Sequence, residues 1–125
     1  MDVEMSELPE IELLPASIER VWNERNDDRR LEAIKALYAP DCVVYEPGRP
    51  ISGHEAMSKV VAGLLGDMPS GFRFETVGPI VGHHGVSTTR WQGGTPGNVT
   101  LTGADVIRVK DGLIVEHYFF FDPKP

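Results

Sequence analysis

One cysteine, Cys42, stands in the whole chain, so neither an internal disulfide nor a cysteine pair for zinc can form. No apolar run approaches the ~20 residues that a membrane-crossing helix needs. Cations are in the minority. Lys and Arg number 12 against 19 Asp and Glu, for a formal net charge of −7. Binding a nucleic-acid backbone takes clustered Lys and Arg, and the sequence has no such cluster. The opening MDVEMSELPE lacks the basic-then-apolar order of a signal peptide, so a cytoplasmic location is expected. Neither an internal repeat nor a low-complexity tract is present.

What is present fits one globular domain over residues 1–125, with residues 1–9 as a loosely ordered extension. Ile18, Val21 and Trp22 form a short helical stripe after Pro15. Asn26-Asp27-Asp28 stops that helix and caps a second one. Leu31, Ile34, Ala36, Leu37 and Tyr38 carry the second helix to Pro40. Cys42 to Glu46 reads as a short strand. Ser52-Gly53-His54-Glu55 has the form of a capping box, and Met57, Val60, Val61, Leu64 and Leu65 line one face of the helix behind it. After residue 71 the pattern turns to strands, over 72–82, 85–92, 99–109 and 113–121. Helices followed by an antiparallel meander make an α+β fold. Three helices in the N-terminal half would cover the concave face of a strongly curved, mainly antiparallel sheet. Such a cone is a ready pocket.

The last hairpin, TGADVIRVKDGLIVEHYFFFD, carries the chemistry. Asp105 lies in the middle of the apolar odd face of its strand, between Gly103 and Ile107. His117 lies on the odd face of the next strand, between Val115 and Phe119. A three-residue loop, Lys110-Asp111-Gly112, would set Asp105 directly opposite His117. Each group would then partner the other and lower the cost of burying either alone. The plainer reading is a structural pair that fixes the register.

The run TGADVIRVKDGLIVEH, with YEPG at 45–48 and SGHEAM at 52–57, resembles the nuclear-transport-factor-2-like superfamily. Within it the sequence is most similar to SnoaL-like polyketide cyclases and ketosteroid isomerases. The resemblance implies a cone-shaped cavity, proton transfer without metal or organic cofactor, and a homodimer. It places Glu46, before Pro47, where ketosteroid isomerases keep their general base. Asp105 matches their oxyanion-binding acid, a carboxyl group that an apolar site keeps neutral so that it can donate a hydrogen bond. Trp22 stands where their tyrosine does. Asp105 with His117 fits the SnoaL-like acid/base pattern better. Arg90 matches an arginine of the related epoxide hydrolases, but Gln92 and Phe119 replace the carboxylates that reaction needs.

The expected catalytic residues are therefore Asp105, His117 and Glu46, with Trp22, Val44, Met57, Arg90, Phe119 and Phe121 around the substrate. The expected reaction is isomerisation, cyclisation or dehydration of a small, largely apolar carbonyl compound through an enolate. Each residue also has a plainer reading: Trp22 as core, Arg90 with Thr88 and Gln92 as an exposed face, Glu46 as a solvated strand end. His83-His84 reads as a solvated turn rather than a metal site. Trp91, Tyr118 and Phe120 are expected on the outer sheet face, where they suggest a homodimer contact. The alternative function is a non-catalytic ligand-binding or dimeric accessory protein of the same fold.

Overall fold

The computed structural model describes residues 9–123, and the expected loose extension over 1–9 falls, Pro9 aside, outside them. Helix α1 spans Pro9–Ser17 and runs on as a π turn over Ile18–Trp22. Pro9 suits a first helical position, and Glu10 and Glu12 favour the positive N-terminal end of the helix dipole. Leu14, Ile18, Val21 and Trp22 are buried, at spacings that put them on one face. Pro15 lies inside this helix, not in its first turn, and offers no N–H to the turn before it. The widened turn closes where Asn23 N–H donates to Ile18 O at 3.0 Å.

Helix α2 spans Asp27–Leu37, and Asn26 caps it by accepting from the Arg29 N–H at 2.9 Å. It buries Arg30, Ala33, Ile34 and Leu37, a spacing of three, four and seven. Arg30 is tied inside by Ser58 Oγ at 3.0 Å, Glu24 O at 2.8 Å and the Asp27 carboxylate. Helix α3 spans His54–Gly66 and buries Met57, Ser58, Val61 and Leu65. The expected capping box does not form. Ser52 is the last residue of a strand, and Gly53, at φ 89°, is the cap without a side-chain bond. Only glycine takes that φ without strain.

Six strands make one sheet: β1 Tyr38–Glu46, β2 Arg49–Ser52, β3 Arg73–His83, β4 Val86–Thr95, β5 Asn98–Lys110 and β6 Leu113–Phe121. Their order is β2-β1-β6-β5-β4-β3, and every pairing is antiparallel except β1 with β6. The sheet is curved and unclosed, with the three helices on its concave side. The short edge strand β2 goes unread in the sequence because Pro50 interrupts it. Tyr38 does not end the second helix, as its spacing suggests, but opens β1. Ala39 precedes Pro40, and a residue before proline is disfavoured in a helix.

The final hairpin turns on two residues, not three. Asp111 and Gly112 both have positive φ, 53° and 81°, which is a type I′ turn, and Lys110 pairs with Leu113. Val109 then faces Ile114 while Arg108 faces Glu116, so Val115 is an extra residue in β6. This bulge exchanges the faces of β6. Beyond it, His117 and Phe119 lie on the same side as Ile107 and Asp105, and Ile114 takes the buried place before it. The concave side collects Ser87, Thr89 and Trp91 from β4 with Asp105 and Ile107 from β5, all buried. Burying each large aliphatic side chain of this core stabilises the fold by about 1.5–3 kcal/mol. Among the described residues no helix is long and apolar enough to cross a membrane.

Candidate functional site

A chain of buried polar side chains runs through the concave core. Trp91 Nε1–H donates to Asp105 Oδ1 at 2.8 Å, and the other carboxylate oxygen lies 3.0 Å from His117 Nε2. His117 Nδ1 is 2.7 Å from the Tyr38 hydroxyl. Tyr38 also meets Ser17 Oγ and receives a longer bond from Trp22 Nε1, at 3.3 Å. Asp105 is 1% exposed and His117 and Tyr38 are 0% exposed, so these groups have only one another to bond. No buried side-chain nitrogen or oxygen among the described residues lacks a partner.

One proton arrangement gives every donor of this chain an acceptor: Ser17 Oγ–H and Trp22 Nε1–H donate to the Tyr38 oxygen, Tyr38 O–H donates to His117 Nδ1, and His117 Nε2–H donates to Asp105. Burial holds the Tyr38 hydroxyl far above the ordinary tyrosine range, against smaller opposing effects of Ser17 and Trp22. The phenol therefore stays neutral across the ordinary pH range.

Local sequence explains how these groups meet. Trp91 pairs with Gly103 across β4 and β5, and a Cβ at Gly103 would lie 2.6 Å from the indole. The absent side chain lets the ring lie across β5 and reach Asp105. His117 pairs with Val44 on β1, and Tyr38 sits at the start of that same strand. The Tyr38 and His117 rings are nearly parallel, with an interplanar angle of 6°.

In front of this chain lies a small aromatic cavity of ≈ 50 Å³. Trp22, Phe74, Trp91, Phe119 and Phe121 form most of its wall, with Val60 and Leu64 from α3. Glu46, at the end of β1, is its one ionisable lining residue. Its side chain is 32% exposed and pairs with Arg49 Nε at 3.2 Å, so it stands at the mouth rather than the floor. Phe119 stacks on the His117 ring, with centroids 4.4 Å apart and planes 14° off parallel. Trp22 meets Phe119 edge-on at 4.3 Å. The imidazole and the carboxylate of Asp105 thus lie one aromatic layer behind the cavity.

The expected site residues fall into four groups. Asp105 and His117 are brought together; Trp22, Phe119, Phe121 and Glu46 line the cavity. Val44 and Met57 are fully buried core, outside the lining. Arg90 is on the outer face, 56% exposed and paired with Asp122, so it does not reach the cavity. Trp91 is the opposite correction: expected outside, it is 2% exposed and inside.

Three members of the polar chain, Ser17, Tyr38 and Trp91, escape a reading of sequence alone. The inward phase of β4 is Ser87, Thr89, Trp91 and Gly93, which reads as polar. Small residues are needed there because α1 packs close; Ser87 Oγ–H donates to Glu10 O at 2.8 Å. Tyr38 is hidden by the irregular pairing between Tyr38 and Val43, which breaks the alternation of β1. The proline at 40 is the one signal that would have ended the helix early. Among the described residues no group of three or more His, Cys, Asp and Glu is placed to hold a metal ion.

The SnoaL-like domain model matches residues 18–117. None of the curated proteins compared with the chain matches it. A candidate isomerase of the SnoaL-like family from Agrobacterium tumefaciens superposes with a TM-score of 0.83 at 21% identity, over 92% of this chain and 98% of its own. Wild-type IdmH, a candidate polyketide cyclase from Streptomyces antibioticus, gives 0.69 at 22% identity, over 89% and 90%. An epoxide hydrolase from M. tuberculosis gives 0.67 at 18% identity, over 94% and 85%. At these identities the likeness is one of fold. The match to the domain model spans most of the sequence, and the chain belongs to the SnoaL-like family.

Proposed function

We propose that the protein is a cofactor-independent acid–base enzyme acting on a small, largely apolar carbonyl compound. One observation carries the reading: a single carboxylate, Glu46, opens onto an otherwise aromatic and aliphatic cavity. An apolar wall binds the body of such a substrate, and a lone carboxylate at its edge is suited to remove a proton next to the carbonyl. The C–H electrons become the C=C bond of the enolate, and the charge moves to oxygen. Glu46 then returns the proton to another carbon, which isomerises the substrate; attack of the enolate carbon on a second carbonyl would cyclise it. Trp22 is the cavity-lining donor with the longest existing bond, 3.3 Å to Tyr38, and is the one best placed to turn toward the oxyanion. Asp105 with His117 supports that charge from behind Phe119, or acts as the base when Phe119 turns aside.

The test is α-proton exchange in deuterated water, measured by NMR across a panel of enolisable aryl and cyclic ketones. Glu46→Gln is expected to lower exchange by about 10²- to 10⁴-fold, the usual worth of a positioned acid or base. Asp105→Asn and His117→Gln are expected to lower it too. Unchanged exchange in all three variants defeats the catalytic assignment.

The cover that Phe119 places over His117 favours a second reading, a binding module without turnover. It predicts thermal stabilisation by ketones with no exchange above background. In either case we propose a homodimer through the outer face of β1, β6 and β5. There Tyr45 stacks on Tyr118 at 4.7 Å, and Phe120 is 54% exposed.

A further inference from the structure

The cavity is too small to hold a whole metabolite. At Glu46, Val60 and Leu64 it adjoins a second hollow, an open groove of ≈ 420 Å³ whose other lining residues are Arg49, Lys59 and Gly63. The three residues common to both make the groove a vestibule of the cavity. Its charge runs against that of the protein. The chain carries −7 overall, yet the vestibule has two cations, Arg49 and Lys59, for one anion, Glu46. Arg49 bonds Glu46 through Nε alone, at 3.2 Å, so both terminal nitrogens of its guanidinium remain open. Lys59 has no ion-pair partner within 4.0 Å among the described residues, although Glu55 stands one helical turn before it. Gly63 lies one turn beyond Lys59, and nothing stands within 4 Å of where its Cβ would be. The groove floor is therefore clear between the two cations and the cavity mouth.

We infer that the substrate carries a carboxylate on the side away from its reacting carbonyl, and that Arg49 and Lys59 bind this group in the vestibule. The inference rests on the cavity being the substrate site and names the class of substrate it takes: a keto acid with an apolar head. An anion seated there would also draw Arg49 off Glu46 and free that carboxylate for proton transfer. Arg49 and Lys59 are then specificity-determining residues outside the reacting centre.

The experiment compares 4-oxo-4-phenylbutanoate with its neutral amide, two aryl ketones of the same carbon skeleton and nearly the same size, one anionic and one neutral. The chain has two tryptophans, Trp22 and Trp91, and both line the cavity. Their two indole N–H signals in a ¹H–¹⁵N NMR titration thus report occupancy directly. The acid is expected to bind about fivefold more tightly than the amide at low salt, with the difference shrinking as salt screens the exposed cations. Lys59→Gln should remove much of that preference. Gly63→Glu, which adds an anion to the groove on a helix where glycine is already the poor choice, should abolish or invert it. Equal binding of acid and amide, unaffected by either variant, overturns the carboxylate inference and leaves the cavity as the site. If neither ketone moves the indole signals, the cavity itself is not the substrate site and both proposals fall.

Discussion

His117 and Asp105 meet across a diagonal of the β5–β6 ladder. His117 stands opposite Ile107 and Asp105 opposite Phe119, yet Nε2 and Oδ2 come within 3.0 Å. Diagonal neighbours on one face are spaced by about 7–8 Å, which an imidazole and a carboxylate together span. The other diagonal, Ile107 and Phe119, is apolar and seals the pair from water. This arrangement makes the pair costly to break. Truncating one partner strands the other inside the core.

His117→Leu and Asp105→Leu are each expected to destabilise the fold by about 3–5 kcal/mol, the usual cost of leaving one member of a buried pair alone. Trp91→Phe, which removes only the donor to Oδ1, should cost less, about 1–3 kcal/mol. The double variant Asp105→Leu/His117→Leu should cost clearly less than the sum of its two singles. Urea unfolding of the four proteins tests this ordering. Additive losses would mean that the two side chains do not act as a unit.

Much of this geometry could be read from residue order, and the rest could not for identifiable reasons. The inward phase of Asp105 and of His117 follows from Gly103, Ile107 and Phe119 around them. How the two strands are joined does not. A three-residue loop and a two-residue turn with a bulge both bring the odd faces together, and only the second puts positive φ at Asp111 as well as Gly112. The same ambiguity hides β2, where Pro50 argues against a strand that its edge position tolerates. The sequence puts Trp91 outside because its inward neighbours Ser87 and Thr89 are small and polar. Their burial is dictated by α1 lying against them, a tertiary fact without local trace. Family likeness alone points Glu46 to the cavity it lines, since the alternation of β1 leaves its direction open.

Tyr38 gives the fold an alkaline weakness. Burial keeps its hydroxyl protonated in the native state well beyond the ordinary range. In the unfolded chain it ionises near pH ~10. Its contribution is therefore intact below that pH and is lost as pH rises toward the native value. The loss is about 1.4 kcal/mol for each pH unit above ~10. The Cys42 thiol, also pushed up by burial, adds a similar slope from a lower pH, so the comparison belongs in a Cys42→Ala background. There, Tyr38→Phe should be less stable at pH 8 but lose less on going to pH 11. Parallel stability curves for the two proteins would show that Tyr38 does not titrate on unfolding.

The outer face of the sheet has the anatomy of an interface. Tyr45, Tyr118 and Val106 pair side by side along it, with Phe120 and Ala104 in the next row. Ion pairs stand at both ends of this apolar middle: Arg108 Nε with Glu116 at 2.8 Å, and Arg90 with Asp122. An apolar centre with a charged rim fits a second copy of the same face, whose rims carry both signs and so complement themselves. Sedimentation of the wild-type protein at micromolar concentration is expected to show a dimer. Phe120→Asp alters a side chain that the fold leaves exposed, so it should yield a folded monomer with an unchanged circular dichroism spectrum. A wild-type monomer, or a Phe120→Asp dimer of wild-type affinity, would assign this face no role in assembly.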